Sequence, residues 1–247
     1  MLKSYFKTAW RALMKNKLLS AINMVGLSAG IAFVFLIGSF VWSEYQVNRP
    51  LDPDRTIYMV RSEWKDPNMG MDFTSPAPIG QALREEYPHL VSDFHHFDGL
   101  TIIAGQGEKV FRQSTHIGDS NLLTFFRLPL LHGDAKTALN QPYTLVITKE
   151  QALRYFGKTD VVGQTLRIQT FTGSHQDFNI TGVLDDMPFN TMMNYHPEGD
   201  QFFLSASSLR IFQREAGFRT WQNMFIINYI KLQPGKKPED LTAAVDQ

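Results

Sequence analysis

Four short constellations carry side chains of reactive type, and their spacing decides what each can do. Gly157-Lys158-Thr159 has the ending of a phosphate-binding loop, in which backbone N–H groups and the lysine cradle a nucleotide's phosphates. That loop needs a glycine five positions ahead of Gly157, and Ala152 stands there; the triplet reads instead as a glycine ending a helix. His95 and His96 are metal ligands or general bases by type. Adjacent residues of a strand face opposite ways, however, and no carboxylate or third histidine stands nearby at helical ligand spacing. Asp185-Asp186 has the composition of an acid/base pair, but its place after a strand and before Met187-Pro188 is that of a turn. Ser205, Ser207 and Ser208 lack the G-x-S-x-G surround of an esterase nucleophile. Accordingly no catalytic residue, cofactor-binding residue, metal ligand or small-molecule cofactor is expected.

Bulk properties narrow the classes further. With 43% hydrophobic and 19% charged residues, 247 residues can bury a core. Lys plus Arg equals Asp plus Glu at 24 each, which removes the basic footprint of a nucleic-acid binder. Cysteine is absent, so disulfides, thiolate metal sites and a cysteine nucleophile are excluded while the compartment stays open.

Position supplies what composition does not. From Leu18 to Ser43 no side chain ionises, and thirteen of these residues are Leu, Ile, Val or Phe, together worth roughly −4 to −8 kcal/mol of membrane insertion. Residues 18–43 therefore read as a transmembrane helix, with Trp42 and Tyr45 as interfacial anchors. A cleaved signal peptide is the competing reading, but its apolar region is shorter and ends at a small-residue site, whereas this run leads into Trp42-Ser43-Glu44. Lys3, Lys7, Arg11, Lys15 and Lys17 precede the span with no acidic residue among them, and Glu44, Asp52 and Asp54 follow it, which places the N-terminus in the cytoplasm. The four-residue spacing of Lys3, Lys7, Arg11 and Lys15, beside Leu2, Phe6, Trp10 and Leu13, reads as an amphipathic helix over residues 1–17 on the inner leaflet's anionic lipids. Gly26 and Gly30 form a GxxxG face that admits a second helix.

Residues 44–247 form an extracytoplasmic domain in which β-type runs alternate with helical ones. Strands are expected over Thr56–Ser62, Lys109–Ile117, Tyr143–Ile147, Thr165–Gln169, Asp177–Leu184 and Phe225–Leu232. Helices are expected over Pro78–Tyr87, Thr148–Phe156 and Pro238–Val245. Loops are expected at Asp66–Gly70, Gly105–Gly107, Gly173–His175 and Pro188–Gly199. The mixture is α+β. The stop at Gln247 inside a helical stretch points to a longer parent protein.

The opening LKSYFKTAWRALMKNKLLSAINMVGLSAGIA resembles that of FtsX-like ABC transporter permeases of the MacB type. DPDRTIYMVRS (Asp52–Ser62), SPAPIGQALREEYP (Ser75–Pro88), FFRLPLLHGDAKTALNQP (Phe125–Pro142), LVITKEQALRYFG (Leu145–Gly157), VVGQTLRI (Val161–Ile168) and FNITGVLDDMP (Phe178–Pro188) are similar, in order and spacing, to the MacB-like periplasmic core domain. The resemblance covers most of residues 1–188 and thins beyond Pro188. It implies an inner-membrane permease subunit with a periplasmic domain between its first and second transmembrane helices, the FtsX-like C-terminal membrane region being absent here. The implied partners are a cytoplasmic ABC ATPase subunit, a second permease subunit in a homo- or heterodimer, membrane lipids, and a periplasmic adaptor or substrate protein. ATP hydrolysis belongs to the ATPase partner, and efflux and mechanotransmission are the implied activities. Two other classes share the topology. One is a single-pass, membrane-anchored sensor or ligand-binding protein, for which 17 residues ahead of the span are too few to form a signalling module; the other is a membrane-anchored enzyme, for which no catalytic constellation stands out.

Overall fold

The computed structural model describes residues 5, 10–11, 14–63, 71–186, 191 and 201–245. It divides into two compact units, 1–47 and 48–247.

In the first unit, α1 (Lys17–Tyr45) is a 29-residue helix, about 44 Å long at the usual rise. Its apolar window has a mean hydropathy of 2.2 with none of it buried, so by length and composition it is able to cross a membrane. Tyr5, Trp10, Arg11, Met14 and Lys15 are also helical, and a bend at Asn16 separates them from α1. No side-chain bond caps that bend.

The second unit runs β1 (Ile57–Val60), α2 (Ile79–Glu86), β2 (Val91–Gln106), β3 (Lys109–Gly118), α3 (Leu122–Phe125), β4 (Leu130–Gly133), β5 (Thr144–Thr148), α4 (Lys149–Phe156), β6 (Thr165–Gln169) and β7 (His175–Leu184). Then come β8 (Phe202–Ser205), two 3-10 helices (Ala206–Phe212 and Ala216–Arg219), β9 (Ile227–Leu232) and α5 (Pro238–Val245). Six strands pair into a ring. β2 bonds β3, β3 bonds β8, β8 bonds β5, β5 bonds β7, β7 bonds β6, and β6 returns to β2 through Ile103↔Gln169, Ala104↔Ile168 and Gly105↔Arg167. The closure leaves these strands few open edges. The first half of β2 instead bonds β9, which carries β1 outside it, and β4 joins the end of β7.

Inside the ring Ile102, Leu145, Leu166, Phe178, Ile180 and Phe202 belong to one apolar cluster. Outside it Phe97, Phe125, Phe126, Leu139, Val146 and Phe203 form a second, supplied largely by the segment that holds α3. β5 serves both, Leu145 and Ile147 inward and Val146 outward, which is why TLVIT is an almost unbroken apolar run rather than an alternating one. A third cluster of Leu90, Val91, Ile230, Leu232 and Leu241 lies where α2 and α5 meet β2 and β9.

The structure has strands at all six expected places and helices at all three. It adds β2, β4, β8, α3 and both 3-10 helices, and it corrects two loops: Gly105 lies within β2, the turn being Gly107-Glu108, and His175 already belongs to β7. Gly107 sits at φ 59° between the paired Gln106 and Lys109, so the two-residue hairpin needs glycine at its first loop position. The loops expected at Asp66–Gly70 and Pro188–Gly199 lie outside the described residues, apart from Thr191.

Candidate functional site

The side chains singled out in the first unit occupy two places. Arg11 and Lys15 are helical and precede Asn16; Lys3 and Lys7 lie outside the described residues. Gly26 and Gly30 are four residues apart on one face of α1, and a methyl group added at either would meet nothing within 4 Å. That face is open to another helix.

In the second unit the serine, aspartate and glycine-lysine constellations are folding devices. Gly157 ends α4 at φ 74°, where its N–H bonds Leu153 O, while Lys109 Nζ donates to the carbonyls of Arg154 and Tyr155 at 2.8 and 2.9 Å. Orphan carbonyls of the last turn are thereby satisfied. Thr148 caps the other end, its side chain accepting from Gln151 N. Ser205 Oγ accepts from Ser207 N at the start of a 3-10 helix, and Ser208 Oγ accepts from Tyr143 N at 2.8 Å. Asp186 and Asp185 flank Lys149, at 2.9 and 3.8 Å.

The histidines are where the structure assembles something the sequence does not announce. β2 sends His95 and His96 to opposite faces, and the turn Asp119–Asn121 grips both. Asn121 Nδ2 donates to Phe94 O at 2.9 Å and Asp93 Oδ2 at 3.2 Å, so its Oδ1 is the acceptor toward His95 Nδ1 at 2.9 Å. His95 therefore carries its proton on Nδ1, and its Nε2 accepts from His116 Nε2–H at 3.0 Å. His95 is fully buried. Burial, reinforced by His116, pushes its pKa from 6.5 down to about 3, so the His95 imidazole is neutral at physiological pH.

On the opposite face His96 donates twice to one oxygen, its backbone N–H and its Nδ1 lying 2.8 and 2.7 Å from Asp119 Oδ2. Burial works to raise the Asp119 carboxyl, but the His96 bond and the nearby imidazoles outweigh it and hold the group below the ordinary aspartate range. An ionised Asp119 holds the His96 ring through Nδ1, and His96 lines a cavity of about 450 Å³ together with Gln81, Ser207, Arg210, Phe218 and Arg219. Asp119, Asn121, His116 and Arg210 carry no motif. Their partners in β2 lie 21 to 28 positions away where hydrogen bonds join them, beyond any local pattern. Among the described residues no group of three or more His, Asp or Glu side chains converges as a metal-binding set.

Comparison with known proteins places this architecture. The profile of the MacB-like periplasmic core domain matches residues 20–247. Among solved structures, a domain described as a permease protein from Porphyromonas gingivalis superposes with a TM-score of 0.60 at 23% identity, over 77% of this chain and 81% of that one. The periplasmic region of MacB from Actinobacillus actinomycetemcomitans superposes with a TM-score of 0.52 at 13% identity, again over 77% and 81%. Identities this low show the fold alone. A search of curated proteins by sequence finds no match. With the family profile spanning nearly the whole chain, from within α1 through the ring of strands to α5, this protein belongs to the MacB-like periplasmic core domain family of ABC transporter permeases.

Proposed function

We propose that the chain is the membrane-anchored, periplasmic part of an ABC permease subunit, which transmits the ATP-driven work of a cytoplasmic ATPase partner to the external side. The carrying observation is where the first and last strands of the second unit run. The chain enters along β1, and β9, the strand that precedes α5, is its antiparallel neighbour with Ile57 opposite Lys231; Leu232 N bonds Thr56 O at 2.9 Å. The first strand thus starts at the end of the sheet where the last one finishes, as suits a module inserted between two membrane helices. In this reading Lys3, Lys7, Arg11 and Lys15 lie at the inner membrane surface near the ATPase. Gly26 and Gly30 pack α1 against a further helix of the same or a second permease subunit.

The absence of cysteine makes the orientation directly testable. Lys15→Cys and Phe171→Cys, the latter replacing a side chain 73% exposed, are introduced singly and treated with a membrane-impermeant maleimide on intact cells. Labelling of Phe171→Cys alone is the expected result; labelling of Lys15→Cys alone reverses the topology and ends the proposal. Coupling is tested by affinity purification of the chain from its native membrane. An ABC ATPase should co-purify, and it should be depleted when Lys3, Lys7, Arg11 and Lys15 are all changed to Gln. Recovery of the intact chain with no ATPase at all contradicts the coupling role.

A further inference from the structure

The face of β2 that carries Phe94 and His96 is only partly covered. α2 stands on one side and the two 3-10 helices on the other, and between them runs a trough of two lobes that share Gln81. One lobe, about 480 Å³, is lined by Gln81, Arg84, Glu85 and Phe94; the other, about 450 Å³, is the His96 cavity. Each lies in the range that accommodates a small ligand. The floor is aromatic. Phe94 and His96 stack at 5.9 Å and 25°, and Phe218 meets His96 at 5.0 Å.

The charges along the trough are mostly committed to one another. Arg219 pairs with Glu215 at 3.4 Å, and Arg84 lies 3.8 Å from Asp93 and 5.9 Å above the Phe94 ring. Glu85 takes an amide hydrogen of Gln81 at 2.8 Å, and Asp119 holds His96 from behind. Arg210 is the remainder: it lines the His96 lobe, is exposed, and has no ion pair with a described residue. A planar guanidinium in that position selects a carboxylate by paired N–H···O bonds, and a backed imidazole beside it supplies one more polar contact of fixed direction.

We propose that this trough is a binding site for a small carboxylate with a flat apolar body. The carboxylate sits on Arg210 beside His96, and the body lies along the aromatic floor of Phe94 and His96, edge-on to the Arg84 guanidinium. The proposal concerns the chain alone and does not depend on an ATPase partner, so its outcome is separable from that of the permease reading.

The experiment is equilibrium dialysis of the full chain in lipid nanodiscs against radiolabelled N-acetylphenylalanine. N-acetylphenylalaninamide, which lacks the carboxylate, and N-acetylglycine, which lacks the flat body, serve as competitors. Saturable binding at one site per chain is expected. Arg210→Gln should weaken it roughly ten- to hundredfold, the loss of one charge-assisted interaction, and both competitors should displace the label that much less well than unlabelled N-acetylphenylalanine. Arg112→Gln, which lies outside both lobes, should leave binding unchanged. Phe94→Leu, which keeps the volume apolar but removes the ring, should weaken binding without altering the circular dichroism. Absence of saturable binding at millimolar ligand, equal displacement by the amide, or unchanged affinity in Arg210→Gln overturns the proposal.

Discussion

His95 is a polar side chain in an apolar place, and its neutrality is a condition of folding. In the folded chain it takes a proton only near pH about 3, whereas the free imidazole does so at 6.5. Between those values the unfolded chain binds more protons than the folded one, so stability rises with pH in that window and is whole above 6.5. Acidification therefore costs up to about 1.4 kcal/mol per pH unit from this one group. The urea midpoint of the chain in nanodiscs, followed by near-ultraviolet circular dichroism, should fall from about pH 7 to about pH 4.5, and the fall should be shallower in His95→Gln. Equal slopes for the two proteins would remove His95 from the account. Gly118 is the residue that lets the histidine pair close. A Cβ there would lie 2.7 Å from both His96 O and Phe97 Cβ, and 3.1 Å from His95 Nε2. Gly118→Ala should accordingly lower stability by about 1–3 kcal/mol, the usual cost of overpacking, seen as a reduced midpoint at neutral pH. Neither residue announces this role in sequence, because the neighbours that define it are on another strand: β3 and the turn after it for His95, β2 for Gly118.

At the scale of elements, local signals carried far where the determinants are local. α4 begins at Thr148 and ends at Gly157 because a hydroxyl cap and a left-handed glycine are chemical stop and start signs. Thr148→Ala should cost about 1 kcal/mol, and Gly157→Ala about 1–2 kcal/mol for the φ of 74° it would force on a Cβ-bearing residue; denaturation midpoints measure both. β2 hid for the opposite reason. Its run VSDFHHFDGL interleaves Ser, Asp, His and Gly with the apolar residues, and these are tolerated because tertiary partners satisfy them: Ser92 Oγ donates to Lys231 O, and Asn121 and Asp119 hold the two histidines. β8 is only four residues, FFLS, too short to show a period, and it is a strand because β3 and β5 flank it. Its Phe203 fills the outer cluster at 0% exposure. Phe203→Ala should therefore cost about 3–5 kcal/mol, against a small effect for Phe171→Ala at the exposed β6–β7 hairpin; thermal melts of the two variants distinguish them.

At the scale of the molecule, the apolar block marks a helix able to cross a membrane already in sequence, because insertion depends on summed side-chain transfer energy, which needs no partner. What that helix packs against is a question of association. If Gly26 and Gly30 form its contact face, Gly26→Ile with Gly30→Ile should abolish cross-linking between chains in the membrane and leave the second unit's melting unchanged, whereas cross-linking that survives would move the interface elsewhere. The sequence alone determined a helix long and apolar enough to cross a membrane, six strands, three helices and the α+β class, since each follows from composition, periodicity, turn chemistry and caps. It also held the ordered motifs whose family the profile match then showed. Only the tertiary structure decided that β6 closes a ring onto β2, that His95 and His116 share a hydrogen bond, and that α2 and the 3-10 helices leave a trough above Phe94 and His96. Those features join residues from tens to more than a hundred positions apart. Their pairing is selected by burying apolar faces while leaving few donors or acceptors stranded, a condition met by many distant residues at once that no segment can express.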